Sequence, residues 1–251
     1  MQPFLFGTSI LIISLTSEII YSVYKNDQKY QPVRMFNNFL RGTVLIILSA
    51  NLVYLFSVFF TDLYNALHKV SQPITLISFF VCLLITDFMY YIFHRLHHSV
   101  PFLRNLHIVH HSDKQFNLST AFRISWLEQS YIFLFLTPSI LIGFSPKLVF
   151  FTALFLVIYQ LYCHSSYLNL PSFLNYFLVT ANTHRNHHDE REENQNSNYG
   201  AIFTIWDKMF RTFTKPKLHL VFGIKGYQED NFIKMETSPI LNFFKKYYAK
   251  N

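Results

Sequence analysis

From residue 74 to residue 93 the chain reads ITLISFFVCLLITDFMYYIF, with one charged side chain in the run, and then turns without a break into HRLHH. A bilayer core takes about 20 helical residues to cross, and in lipid only a helix or a closed barrel satisfies its own backbone. Comparable apolar runs lie near residues 4–22, 43–61, 128–144 and 147–163. The last two are shorter and are joined only by Ser145 to Lys147, so they read as a tight hairpin of half-spans. Hydrophobic residues make up 51% of the 251 positions, charged ones 14%, and 29 are Phe, a balance suited to lipid contact. The expected fold is all-α: an integral membrane bundle of about four to five apolar spans or half-spans under a helical cap, as one domain over 1–251 with no linker. The N-terminal run lacks a positive flank and a small-residue cleavage site, so it reads as a retained span, with Glu18 as a costly ionisable group inside it.

The formal charge of +7 comes without a basic helix or zinc-finger pattern, which argues against a nucleic-acid partner. Lys25, Lys29, Arg34 and Arg41 lie between the first two runs and place that connection in the cytoplasm by the positive-inside rule. The N-terminus is then outside, and Arg95, Arg104, Lys114, Arg123 and the polar C-terminal stretch fall on the cytoplasmic side. Cys82 and Cys163 sit inside apolar runs and read as packing residues, with no disulfide framework. HHDEREENQNSN is a dense polar loop, and AIFTIWDKMF after it reads as an interfacial segment with Trp206 in the aromatic belt.

Of the 12 histidines, most are spaced as ligands. His94 and His98 are four apart and share a helical face; so can His107 with His110 or His111, and Pro101 between these sets is suited to a first helical turn. A third set, His184, His187 and His188, follows about seventy residues later, and His164 closes the last apolar run. Nine candidate ligands exceed one metal and fit two with four or five nitrogens each; imidazole suits iron, zinc and copper alike. His97 points about 100° away from His98 and reads as a spectator. His68 and His219, isolated from the sets, read as structural.

HRLHH, HIVHH and HRNHH, with the flanks DFMYYIFHR, HHSDKQFNLSTAFR and NYGAIFTIWDKMF, resemble the histidine boxes of the membrane-bound fatty acid hydroxylase and sterol desaturase superfamily over residues 80–213. NLSTAFRISWLEQ and THRNHH look most like its alkylglycerol monooxygenase branch, which hydroxylates the ether-linked carbon of glyceryl ethers. The resemblance implies two iron ions, with zinc an alternative occupant in purified protein. They would sit at the cytoplasmic end of the bundle, with O2 as co-substrate and the C–H bond of a bilayer lipid as target. Arg211 stands where the family usually has Gly, and Asn186 where an apolar residue is usual. The chain is shorter than the animal ether-cleaving enzymes, so the resemblance does not by itself imply their pterin dependence.

Ligand imidazoles are normally held in one tautomer by an acceptor behind them. Asp87, on the His94 face of its helix, and Asp189 and Asn182 beside the third box are the candidates, with pairing of Asp87 to Arg95 as the alternative for that residue. Glu128 reads as a helix-end charge. No Rossmann fingerprint, haem motif or iron–sulfur cysteine set occurs, so a separate electron donor or reductase is expected. Sterol or fatty acyl hydroxylation or desaturation is the alternative within the superfamily. From another class, the alternative is a metal-transporting or metal-storing membrane protein.

Overall fold

The computed structural model describes residues 2–27, 29–68, 73–227, 229 and 231–248. Its elements in chain order are α1 (Gln2–Lys25), α2 (Pro32–Leu67), α3 (Leu76–Ser99), α4 (Pro101–His111), α5 (Trp126–Tyr131), α6 (Thr137–Ile142), α7 (Pro146–Cys163), α8 (Ala181–His187), α9 (Glu192–Gln195), α10 (Ile205–Met209) and α11 (Phe232–Tyr248), with short 3-10 turns between some of them. Among the described residues there are only isolated β-bridges and no extended strand, so the fold is all-helical.

α1 and α2 carry the first two apolar runs. Among the described residues, α3 and α7 are long and apolar enough to cross a membrane; at 1.5 Å per residue, the 24 residues of α3 extend about 36 Å. α3 starts on a capping box in which Thr75 Oγ1 accepts from Ser78 N–H at 3.1 Å and Ser78 Oγ accepts from Thr75 N–H at 2.8 Å. It stops at Ser99 because Val100 is extended and Pro101 takes the first position of α4. The chain therefore turns between the first and second histidine sets, and α4 folds back against α3.

The expected span at 128–144 is a broken one: α5, a 3-10 turn at Ile132–Leu136 and α6 share it. Gly143 at φ 111° ends α6 in the left-handed region that a glycine adopts without strain. One core cluster joins α2, α3, the broken segment and α7 through Phe60, Tyr64, Cys82, Phe133, Ile140 and Val149. Cys82 and Cys163 are buried free thiols. A second cluster sets Leu83 and Leu156 against Ala201 and Ile202, where the loop after the third histidine set meets α3 and α7.

Candidate metal centre

Four elements converge at one end of the α3/α7 pair. α3 brings His94 and His98, α4 brings His107, His110 and His111, and the turn ending α7 brings His164. α8, started by a Thr180/Thr183 capping box, brings His184 and His187, with His188 as its C-cap. All nine side chains are buried, between 0% and 8% exposed.

They sort into two groups whose ligand atoms lie within 4.8 Å of one another: His94, His98, His107, His111 and His187 in one, and His110, His164, His184 and His188 in the other. The helical repeat explains the division. Residues four apart share a face, so His107 and His111 go together, as do His184 and His188. The third member of each set, His110 or His187, stands on the adjacent face and crosses to the other group.

Backbone carbonyls fix four of the nine rings. Nδ1 lies 2.9 Å from Tyr199 O in His94, 3.2 Å from Arg123 O in His110, 2.8 Å from Gln160 O in His164 and 2.7 Å from Ser197 O in His187. A carbonyl only accepts, so Nδ1 carries the proton and Nε2 presents its lone pair. His94, His98, His107, His111, His187 and His188 all have a buried Nε2 with no hydrogen-bond partner. In the second group His164 Nε2 is 3.2 Å from His110 Nε2 and 3.1 Å from His184 Nε2. Two nitrogens each about 2.0–2.1 Å from one ion are separated by about 3.0–3.4 Å. Burying so many unpartnered nitrogens is costly, and ions in the two groups would satisfy them. The residues present therefore fit two metal ions.

The donor set is electrically neutral. Burial holds His107, His110, His111, His184 and His188 below the ordinary imidazole range, and in all but His110 neighbouring imidazoles add to the effect; for His110 Glu128 and the hydrogen bond to the Arg123 carbonyl oppose it, and the Arg123 charge adds to it. Burial takes His187 down to about 3. Imidazole in its neutral form is the metal-binding form.

The acceptors behind the rings differ from those expected. Asp87 accepts from the backbone N–H of Ile202 at 2.7 Å and from Trp206 Nε1 at 2.8 Å, and neither an imidazole nor Arg95 bonds it. Asn182 accepts from the Arg185 guanidinium, and Asp189 from Arg191, Asn194 and Val221 N–H. Each of these three side chains is taken up by a neighbouring loop or helix before it can reach a ring. The carboxylate that does reach one is Glu128, whose Oε1 is 2.8 Å from His107 Nδ1. Glu128 does stand in the first turn of α5, as its reading as a helix-end charge expects, but it is 4% exposed and reaches a ring as well; a lone carboxylate at the head of an apolar run was the available signal. Trp206, expected in an aromatic belt, donates its indole N–H to Asp87 Oδ2 at 2.8 Å. His97 belongs to neither group: Nδ1 donates to Phe93 O at 2.7 Å, and Nε2 accepts from Tyr131 Oη at 2.6 Å. His68 bonds Ile140 O at 3.1 Å, away from both groups.

A cavity of about 460 Å³ reaches His98, His107 and His111 and is rimmed by Arg104, Arg191, Glu190 and Glu192.

The sequence profile of the fatty acid hydroxylase family matches residues 79–212, which includes every one of the nine histidines. The chain belongs to the fatty acid hydroxylase family. This fatty acid hydroxylase relative is 37% identical to human alkylglycerol monooxygenase over 139 residues, 55% of this chain and 31% of that one. It is 36% identical to the alkylglycerol monooxygenase of Caenorhabditis elegans over 133 residues, 53% of this chain and 26% of the other. Human cholesterol 25-hydroxylase is 32% identical over 135 residues, 52% of this chain and 49% of that protein. The match thus spans about a third or less of the alkylglycerol monooxygenases and about half of the sterol enzyme. No solved structure matches this fatty acid hydroxylase family member significantly.

Proposed function

We propose that the protein is an integral-membrane di-iron oxygenase that hydroxylates a C–H bond of a lipid, with ether-linked glycerolipids as the substrate class. The observation that carries the reading is the division of nine buried imidazoles into groups of five and four, each large enough to hold one ion. The ions, once bound, supply the activation of O2 for insertion into an unactivated C–H bond.

The chain's own residues hold, orient and shield. His94, His98, His107, His111 and His187 hold one ion, and His110, His164, His184 and His188 the other. Tyr199 O, Arg123 O, Gln160 O, Ser197 O and Glu128 fix the rings so that Nε2 faces inward. Because no carboxylate belongs to either group, the protein adds no formal negative charge to the donor set. α3 and α7 sit in the bilayer with the centre at their cytoplasmic ends, the N-terminus lies outside, and the whole chain forms one domain. The charged rim of the 460 Å³ cavity suits a water-borne electron donor rather than an alkyl chain, so the lipid approaches from the apolar side.

Purified protein is expected to carry about two iron ions per chain and to oxidise a glyceryl ether when supplied with O2 and reductant; His110→Ala and His187→Ala abolish turnover. Comparison of lipids in cells with and without an active copy decides the substrate. Accumulated ether lipids in cells lacking it support this reading. Unchanged ether lipids with altered sterols favour the sterol reading, which rests on the likeness to cholesterol 25-hydroxylases.

A further inference from the structure

We infer that Asp207, on α10, is a positioning residue for the metal centre, acting on His94 through a single peptide unit of the loop that runs from Tyr199 to the start of α10. The inference rests on the proposed role of the imidazoles as ligands. Asp207 is fully buried. Its Oδ1 accepts from Tyr199 N–H at 2.8 Å and from Thr212 Oγ1 at 2.7 Å, and its Oδ2 accepts from Gly200 N–H at 2.9 Å. The N–H of Gly200 and the C=O of Tyr199 belong to one planar amide. On its far side that C=O accepts from His94 Nδ1 at 2.9 Å. A carboxylate on one edge of an amide and an imidazole on the other polarise it in the same sense. Asp207 therefore sets both the direction and the strength of the bond that turns His94 Nε2 into the five-imidazole group.

Gly200 is required by this approach. A Cβ there would lie 2.6 Å from Phe203 O and 3.0 Å from Asp207 Oδ2, so any side chain would push the loop off the carboxylate. The other end of the loop is held by Asp87 through Ile202 N–H and Trp206 Nε1. Between the two clamps, Ala201 O accepts from the Gln160 side-chain amide, and Gln160 O accepts from His164 Nδ1 at 2.8 Å. The loop thereby bonds one imidazole of the five-membered group directly and is tied to one of the four-membered group through Gln160. Burying two carboxylates is expensive, and here most of their hydrogen bonds go to this loop.

The test is a double-mutant cycle on metal-stripped full-length protein in detergent, titrated with Co2+ and read by the visible absorption of the bound ion. Asp207→Asn places an NH2 or loses an acceptor against three donors, and it is expected to weaken one of two Co2+ sites by about 10–100-fold and to shift that site's spectrum. In a His94→Ala background the same change is expected to cost no further affinity at that site, because the ring it positions is gone. In a His184→Ala background it is expected to cost the full amount. Equal losses in both backgrounds would mean that Asp207 only stabilises the fold, and would overturn the inference. If Asp207→Asn does not fold, Thr212→Val, which removes one donor and keeps the shape, runs the same cycle with a smaller loss. Wild-type protein that takes up no Co2+ would overturn the metal reading itself, and this inference with it.

Discussion

Glu128 Oε1 lies 2.8 Å from Nδ1 of His107, with both side chains almost fully buried. It is the one carboxylate in direct contact with an imidazole of the two groups among the described residues. A carboxylate behind a ligand ring raises its basicity and locks its orientation. Glu128→Gln keeps an acceptor and loses the charge, so metal affinity of the five-imidazole group is expected to fall by about 10-fold, and Glu128→Ala by up to about 100-fold. Metal titration of the stripped protein checks this; unchanged affinity in Glu128→Ala would remove the residue from the site.

Arg211 stands at φ 60° just beyond α10. A non-glycine residue in the left-handed region costs about 1–2 kcal/mol, part of which glycine gives back as chain entropy. A residue without a Cβ takes this backbone conformation without that strain. Arg211→Gly is expected to stabilise the protein by up to about 1 kcal/mol, seen as a melting temperature higher by about 2–4 °C, with metal content unchanged. A lower melting temperature would mean that the Arg side chain holds a contact worth more than the strain.

Which imidazoles the fold brings together was legible in the sequence because helical periodicity is local: four-residue spacing places His94 with His98 and His107 with His111 without knowledge of the fold. What orients them was not. Tyr199 O, Ser197 O, Arg123 O and Gln160 O are backbone atoms, present at every residue, and only the tertiary path of the chain selects them. Asp87 was visible as an ionisable group in an apolar run, yet its partners lie more than a hundred residues ahead, so its target could not be read. The break in the 128–144 run was hidden for a similar reason: past its polar head the run is mostly apolar, and Pro138 and Gly143 end a helix only where the tertiary path takes a turn.

The depressed imidazoles set a pH dependence for the metal-free protein. His187 is held at about 3, and His107, His111, His184 and His188 are also lowered, by burial first, whereas in an unfolded chain each titrates near 6.5. Between those values the unfolded state binds more protons, so stability rises with pH there. The stabilising difference is fully present above about pH 6.5 and is lost as pH falls toward the folded values. Thermal unfolding of stripped protein is expected to shift steeply downward from pH 7 to pH 5. A flat profile would mean that the rings are hydrated and not buried as described.

His110 and His111 are neighbours in sequence whose rings belong to different groups, with centroids 5.6 Å apart and planes at 89°. Single substitutions can therefore separate the two ions. His111→Ala removes one of five imidazoles, and His110→Ala one of four, including the Nε2 that stands 3.2 Å from His164 Nε2. The smaller group has less to spare, so His110→Ala is expected to lower bound metal from about two ions per chain to about one, in line with four protein ligands per closed site. His111→Ala is expected to weaken the other ion without emptying its site. His97→Ala is the control: it breaks the bonds to Phe93 O and Tyr131 Oη, costing about 1–3 kcal/mol of stability while leaving both ions in place. Metal analysis of the three purified variants, with their melting temperatures, reads all of this at once. Loss of both ions in His110→Ala and His111→Ala alike would show that the nine rings form one indivisible cluster and not two.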